Sequence, residues 1–329
     1  MKVTRSWSTM PFLLASIVLL GCSPFSGQAD IEIALENPTG QQKNMHDAAR
    51  GIGSDLTIIA TTPLVAGWVN QVGGTRLSAA SIIPYSIDPH SYQPAAKDIA
   101  AITRADYIFA VGLLYEATWL TKLLDSHPET TLVELGDSSS PIKFQGHHEG
   151  QSQNEGHYDP HFWFDPLRVS SVIGKIVQVL SDIDPDGMTY YAQRAEAYTH
   201  ALQGLDDYIS IQMETIPEAR RKLILGHESL GYLGERYNIL ILQAVIPNLS
   251  SETGPTPQDL TEAIKLVREH DVPAIFVETE TTGKSAERIA QETGVRVAGG
   301  LSVETLREGQ SYIDFMKYNL EVIVSNLVE

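Results

Sequence analysis

The segment Leu56-Thr57-Ile58-Ile59-Ala60-Thr61-Thr62, followed at once by Pro63-Leu64-Val65-Ala66-Gly67-Trp68-Val69-Asn70-Gln71-Val72-Gly73-Gly74, decides the architecture of this chain. The first part is a short, nearly continuous apolar run, as expected of a strand buried on both faces. The second is an amphipathic helix closed by glycines. The same alternation continues through strand SAASIIP (78–84), helix AAKDIAAITR (95–104), strand ADYIFAVG (105–112), helix ATWLTKLLDS (117–126) and strand TLVEL (131–135). It restarts at Lys222 with strands KLILG (222–226), ILILQAV (239–245), AIFVETE (274–280) and VRVAGG (295–300). The helices of this half are PQDLTEAIKLVREH (257–270), SAERIAQET (285–293) and QSYIDFMKYNLEVIVSNL (310–327). Strands separated by helices form parallel βαβ units, so the fold class is α/β, with two lobes each built on a mostly parallel sheet flanked by helices.

Between the lobes lies MTYYAQRAEAYTHALQGLDDYISIQMETI (188–216), which has no proline and a single glycine, Gly204. One continuous helix of about 28 residues would span about 40 Å at 1.5 Å per residue, long enough to run along both lobes as a stiff connector. Two shorter helices broken near Gly204 are the alternative. The domain boundaries drawn on this pattern are 1–21, 22–54, 55–185 for the first lobe, 186–217 for the connecting helix and 218–329 for the second lobe.

Residues 1–21 form a basic start with Lys2 and Arg5 and an apolar run from Pro11 to Leu20, too short to span a bilayer. They end in Leu19-Leu20-Gly21-Cys22, which resembles a bacterial lipobox, with cleavage before Cys22 and lipidation of its thiol. Cys22 is the single cysteine of the 329 residues and so forms no intramolecular disulfide. Residues 22–54 are polar and aperiodic and read as a tether. The expected location is therefore extracytoplasmic, anchored by lipid. The formal charge of −18, or −20 without Lys2 and Arg5, argues against a basic surface for nucleic acid or anionic lipid.

Three of the ten histidines fall in loops at the carboxyl ends of strands, where open α/β sheets bind ligands. His90 lies in Asp88-Pro89-His90, His161 in Asp159-Pro160-His161, and His227 follows KLILG. In the repeated Asp-Pro-His, proline fixes the backbone and the aspartate can orient the imidazole. His46, His127, His200 and His270 read as surface residues.

DPHSYQPAAKDIAAITRADYIFAVG, DPHFWFDPLRV, RKLILGHESLGYLGERYNI and the closing SYIDFMKYNLEVI resemble, in order, the solute-binding lipoproteins of zinc and manganese ABC importers. The similarity runs from about residue 55 to 329. It implies two α/β lobes joined by one long rigid helix, a metal site in the cleft between lobes, no enzymatic activity, and a permease subunit as partner of a monomeric protein. It places His90 and His161 as the first two ligands. His227 falls where zinc-type members have histidine and many manganese-type members have glutamate. The fourth ligand, usually aspartate, corresponds to Glu304, one methylene longer. Glu278 is the rival or supporting carboxylate. A short acidic loop with His147, His148 and His157 stands where zinc-binding members often carry a His-rich loop, and reads either as an auxiliary metal loop or as a solvated loop with no metal role.

Three imidazoles and one carboxylate suit Zn²⁺, so zinc leads as the transported ion, with Mn²⁺ or iron as the alternative. Neutral imidazoles bind metal, which sets the expected loss of affinity below about pH 6.5. A zinc hydrolase, with Glu228 as base, is the competing class. Against it, the sequence carries neither an HExxH nor a G-x-S-x-G motif.

Overall fold

The computed structural model describes residues 49–50, 56–117, 119–126, 129–144, 157–246, 255–279 and 283–328. All of them fall in one compact unit, Pro38–Glu329. Residues 1–21, read above as a signal peptide, and Cys22, His46, His127, His147 and His148 lie outside the described residues.

The first sheet is built on β2 (Thr57–Ala60). Beside it lie β3 (Ala80–Ser81) on one edge and β4 (Tyr107–Ala110) on the other, with β5 (Thr131–Glu134) beyond β4, all parallel. A two-residue strand, β1 (Ala49–Arg50), adds antiparallel to the start of β2. The second sheet repeats the plan with β6 (Lys222–His227), β7 (Leu240–Ile246), β8 (Ala274–Glu278) and β9 (Arg296–Leu301), in parallel order β7-β6-β8-β9. In each sheet the chain steps to one side of the founding strand and then crosses to the other. That reversal opens a crevice at the carboxyl ends of β2 and β6.

Alternation along the strands gives each sheet two buried faces. Ile58 and Ala60 of β2, Leu223 and Leu225 of β6, and Ala274 and Phe276 of β8 join one large core. Ile59 faces a separate outer cluster with Ile82, Ile108 and Trp119, while Ile224 and Ile275 face another with Val245 and Ile289. Both lobes therefore share the inner core and each keeps its own outer one, the two-sided burial that makes parallel strands apolar throughout.

Helices α1 (Pro63–Gly73), α2 (Ala96–Ile102) and α3 (Leu120–Leu124) belong to the first lobe; α4 (Pro166–Ile183) leads to α5 (Met188–Glu214); α6 (Gly231–Tyr237), α7 (Pro257–His270), α8 (Lys284–Thr293) and α9 (Tyr312–Val328) follow. The connector α5 is one helix of 27 residues, about 40 Å long. Gly204 does not break it. A side chain at that position would meet nothing, so glycine costs only its weak helix propensity of about 1 kcal/mol. The buried stripe Tyr191, Ala195, Tyr198, Leu202, Leu205, Ile209 and Met213 holds α5 to the shared core, against α1 and α4 of one lobe and α9 of the other.

Two segments depart from the expected pattern. SAASIIP contributes only two ladder residues; the hydrogen bonds Ile82 N to Ala60 O and Ile83 N to Thr61 O follow before Pro84, which has no N–H, ends the pairing. ATWLTKLLDS is regular helix only from Leu120 to Leu124, because residues 113–117 form a turn instead. Among the described residues, no helix is long and apolar enough to cross a membrane.

Candidate metal centre

The chain converges at the carboxyl ends of the two sheets. His227 is the last residue of β6, and Glu304 follows β9 in the loop Ser302–Leu306. His90 lies in the loop after β3, and His161 just before a 3₁₀ turn, Phe162–Phe164, that leads into α4. One ligand atom from each of these four buried residues lies within 4.8 Å of the others. Glu304 Oε1 is the hub: His227 Nε2 is at 2.7 Å, His161 Nε2 at 3.2 Å and His90 Nε2 at 3.4 Å.

Each arm is held from behind. Asp159 Oδ1 accepts from the His161 backbone N–H at 2.9 Å and from its Nδ1 at 2.7 Å. A carboxylate only accepts, so Nδ1 carries a proton and Nε2 faces the centre. Tyr232 of the second lobe donates to the Asp159 carbonyl at 2.6 Å, tying this arm across the cleft. Asp88 Oδ1 accepts from the His90 N–H at 2.9 Å, so both Asp-Pro-His turns use their aspartate on the histidine's backbone. Glu278, at the end of β8, accepts from Gly226 N at 3.0 Å and His227 N at 3.2 Å, and its Oε1 stands 3.5 Å from His227 Nδ1. It lies behind His227 and is not among the four converging groups. Gly226 allows this approach, since a Cβ there would sit 1.8 Å from Glu278 Oε2.

The Glu304 loop is fixed on several sides. Ser302 N–H donates to Asn319 Oδ1 at 2.9 Å, Trp163 Nε1 to Val303 O at 2.9 Å, and Ser86 N to Leu306 O at 3.2 Å. Trp163 also stands edge-on to His161 with 5.2 Å between ring centroids, walling the site as well as filling the core. Tyr115 was not foreseen from the sequence: its hydroxyl donates to Glu304 Oε2 at 2.8 Å. His157 is exposed, and its carbonyl accepts from Phe144 N.

The electrostatics are strongly coupled. Burial disfavours a charge on His161, but Glu304 and Asp159 outweigh it and raise its pKa to about 9. Burial likewise opposes protonation of His227, and the carboxylates of Glu278 and Glu304 on either side of it overcome that, holding its pKa well above the usual range. Glu304 is buried, which disfavours its charge, yet the imidazoles of His161 and His90 keep it ionised far below the ordinary carboxylate range. The metal-free centre sets a buried carboxylate beside His161 and His227, which hold their protons above the usual imidazole range, and a divalent cation can replace those protons.

Residues 58–326 match the family described as zinc-uptake complex component A, periplasmic. The manganese-binding lipoprotein MntA of Halalkalibacterium halodurans is 30% identical over 84% of this chain and 89% of its own length. The manganese ABC transporter substrate-binding lipoprotein PsaA of Streptococcus pneumoniae is 26% identical over 84% of this chain and 91% of its own. The fold is that of the periplasmic zinc-binding protein TroA from Treponema pallidum, with a TM-score of 0.74, 23% identity, and coverage of 83% of this chain and 99% of the other. The chain belongs to the family of zinc-uptake complex component A proteins, the metal-binding solute receptors of ABC transporters, and is not an enzyme.

Proposed function

We propose that this protein captures a divalent transition metal ion outside the cytoplasm, with Mn²⁺ as its cargo, and delivers it to an ABC permease. The observation that carries metal capture is the convergence of His90, His161, His227 and Glu304 on one buried point. The choice of manganese rests on the relatives named as manganese-binding, at 30% and 26% identity. It displaces zinc, which the donor set alone favours. Cys22 serves as the lipid anchor and the protein works as a monomer.

Zinc remains the second reading on one specific ground. Three imidazole nitrogens and one carboxylate oxygen are a four-donor set that Zn²⁺ fills without added ligands, and zinc binds nitrogen and oxygen donors more tightly than manganese does. Selectivity in a cell then depends on metal availability as well as affinity.

Calorimetry of metal-stripped residues 23–329 with Mn²⁺ and, separately, Zn²⁺ tests the assignment. One site per chain with sub-micromolar affinity for Mn²⁺ is the expected outcome, with Zn²⁺ competing for the same site. Tight zinc binding beside only millimolar manganese binding would transfer the cargo to zinc. Absence of a tight site for either ion would remove metal capture altogether.

A further inference from the structure

Tyr115 reaches the centre through an unusual turn. After β4, Gly112, Leu113 and Leu114 take φ values of +79°, +54° and +69° in succession. Two leucines in the left-handed region are strained, a feature that persists only where surrounding contacts enforce it. Here Glu116 enforces it. Its buried carboxylate accepts from Val111 N at 2.8 Å, Gly112 N at 3.1 Å and Thr61 Oγ1 at 2.6 Å, stapling the turn to the end of β2. The turn projects Tyr115 inward until only 5% of it is exposed. Its ring stands edge-on to His90 at 4.9 Å, to Trp163 at 5.6 Å and to His161 at 6.2 Å between centroids.

The two oxygens of Glu304 are thereby given different work. Oε1 faces the Nε2 atoms of all three histidines, while Oε2 accepts the Tyr115 hydroxyl. A glutamate arm is long enough to chelate an ion through both oxygens. A phenol bonded to Oε2 holds the carboxylate plane and occupies one of that oxygen's two lone pairs, so chelation through both oxygens has to compete with this bond. Resting on the metal-capture reading above, we propose that Tyr115 is a positioning residue that limits Glu304 to one metal-facing oxygen and so sets the ion preference of the site. Four donors suit Zn²⁺, whereas Mn²⁺ is better served by additional oxygen ligands. The hydroxyl therefore holds manganese affinity below what this donor set could reach.

The test compares the mature wild-type protein with Tyr115→Phe, titrating each with Mn²⁺ and with Zn²⁺ and recording X-ray absorption at both metal edges. The variant removes the Tyr115 bond to Oε2, the restraint that opposes chelation. The expected result is a shift in the ratio of the two affinities toward manganese of about tenfold, the scale of one hydrogen bond to a charged group, with one more oxygen neighbour around Mn²⁺. Equal losses for both ions, as a merely structural role would give, or an unchanged ratio, would overturn the inference. Should Tyr115→Phe fail to fold, the loaded wild-type protein decides. A crystal structure with a single Glu304 oxygen on the ion supports the assignment, and one with both oxygens on the ion overturns it. A wild-type protein that binds neither ion defeats metal capture itself, whereas tight wild-type binding with no change of ratio in the variant defeats only the role of Tyr115.

Discussion

His227→Ala is expected to lower the affinity for Mn²⁺ and Zn²⁺ by about a thousandfold or more, beyond the 10–100-fold that loss of a mere supporting partner costs. The imidazole is completely buried and lies between two carboxylates, with Nε2 2.7 Å from Glu304 and Nδ1 3.5 Å from Glu278. Removing it deletes a donor and leaves both acids short of a partner. Breaking a buried ion pair typically costs about 3–5 kcal/mol, so the metal-free variant should melt at a lower temperature. The shared core across both lobes and α5 does not involve His227, and the fold should persist. Calorimetry with each ion, paired with a thermal melt followed by circular dichroism, reads both effects. Wild-type affinity in this variant would remove His227 from the ligand set.

The second large effect is on pH. Free imidazole titrates near pH 6.5, from which affinity would level off above neutrality. The centre moves that window upward, because the His161 pKa is raised to about 9 and that of His227 is raised as well. A bound ion must displace those protons, so apparent affinity should keep rising between pH 6.5 and 8, by about tenfold per unit for each proton released, or about 30-fold for one. The stability of the metal-free protein runs the other way. A raised histidine pKa gives stabilisation that is complete below the unfolded value near 6.5 and is lost as pH climbs through about 9. The lowered pKa of Glu304 gives stabilisation present above the ordinary carboxylate value and lost as pH falls below it. These pairs therefore support the metal-free fold best between about pH 4.5 and 6.5. Dissociation constants measured by chelator competition at pH 6, 7 and 8 check the first part. A flat profile from pH 7 to 8 would contradict it.

The strands were legible because parallel sheets buried on both faces write themselves as short apolar runs, as in LTIIATT and KLILG. The long connector was legible from a proline-free stretch, although only packing could decide that Gly204 leaves it whole. His227 could be picked out by its position at the end of a strand, and His90 and His161 by the repeated Asp-Pro-His, although His161 in fact precedes a 3₁₀ turn and follows no strand directly. Glu304 could not: nothing local separates it from Glu278, and its candidacy came from resemblance to a family in which aspartate is usual. Three dimensions separate the two acids, since Glu278 turns its oxygen to the β6 backbone while Glu304 faces three imidazoles. Tyr115 left no signal at all, because GLLYE reads as an ordinary loop until Leu113 and Leu114 adopt left-handed backbone. Cation choice is equally hidden, since the donor types favour zinc while the named relatives are manganese binders.

Metal capture at a point shared by both lobes is tested most directly by a crystal structure of the manganese-soaked protein, phased to give an anomalous map at the manganese edge. The expected result is one strong peak per chain, enclosed by the Nε2 atoms of His90, His161 and His227 and by Glu304 Oε1. A peak bound instead by Glu278 or by His157, or no peak between the lobes, would contradict it.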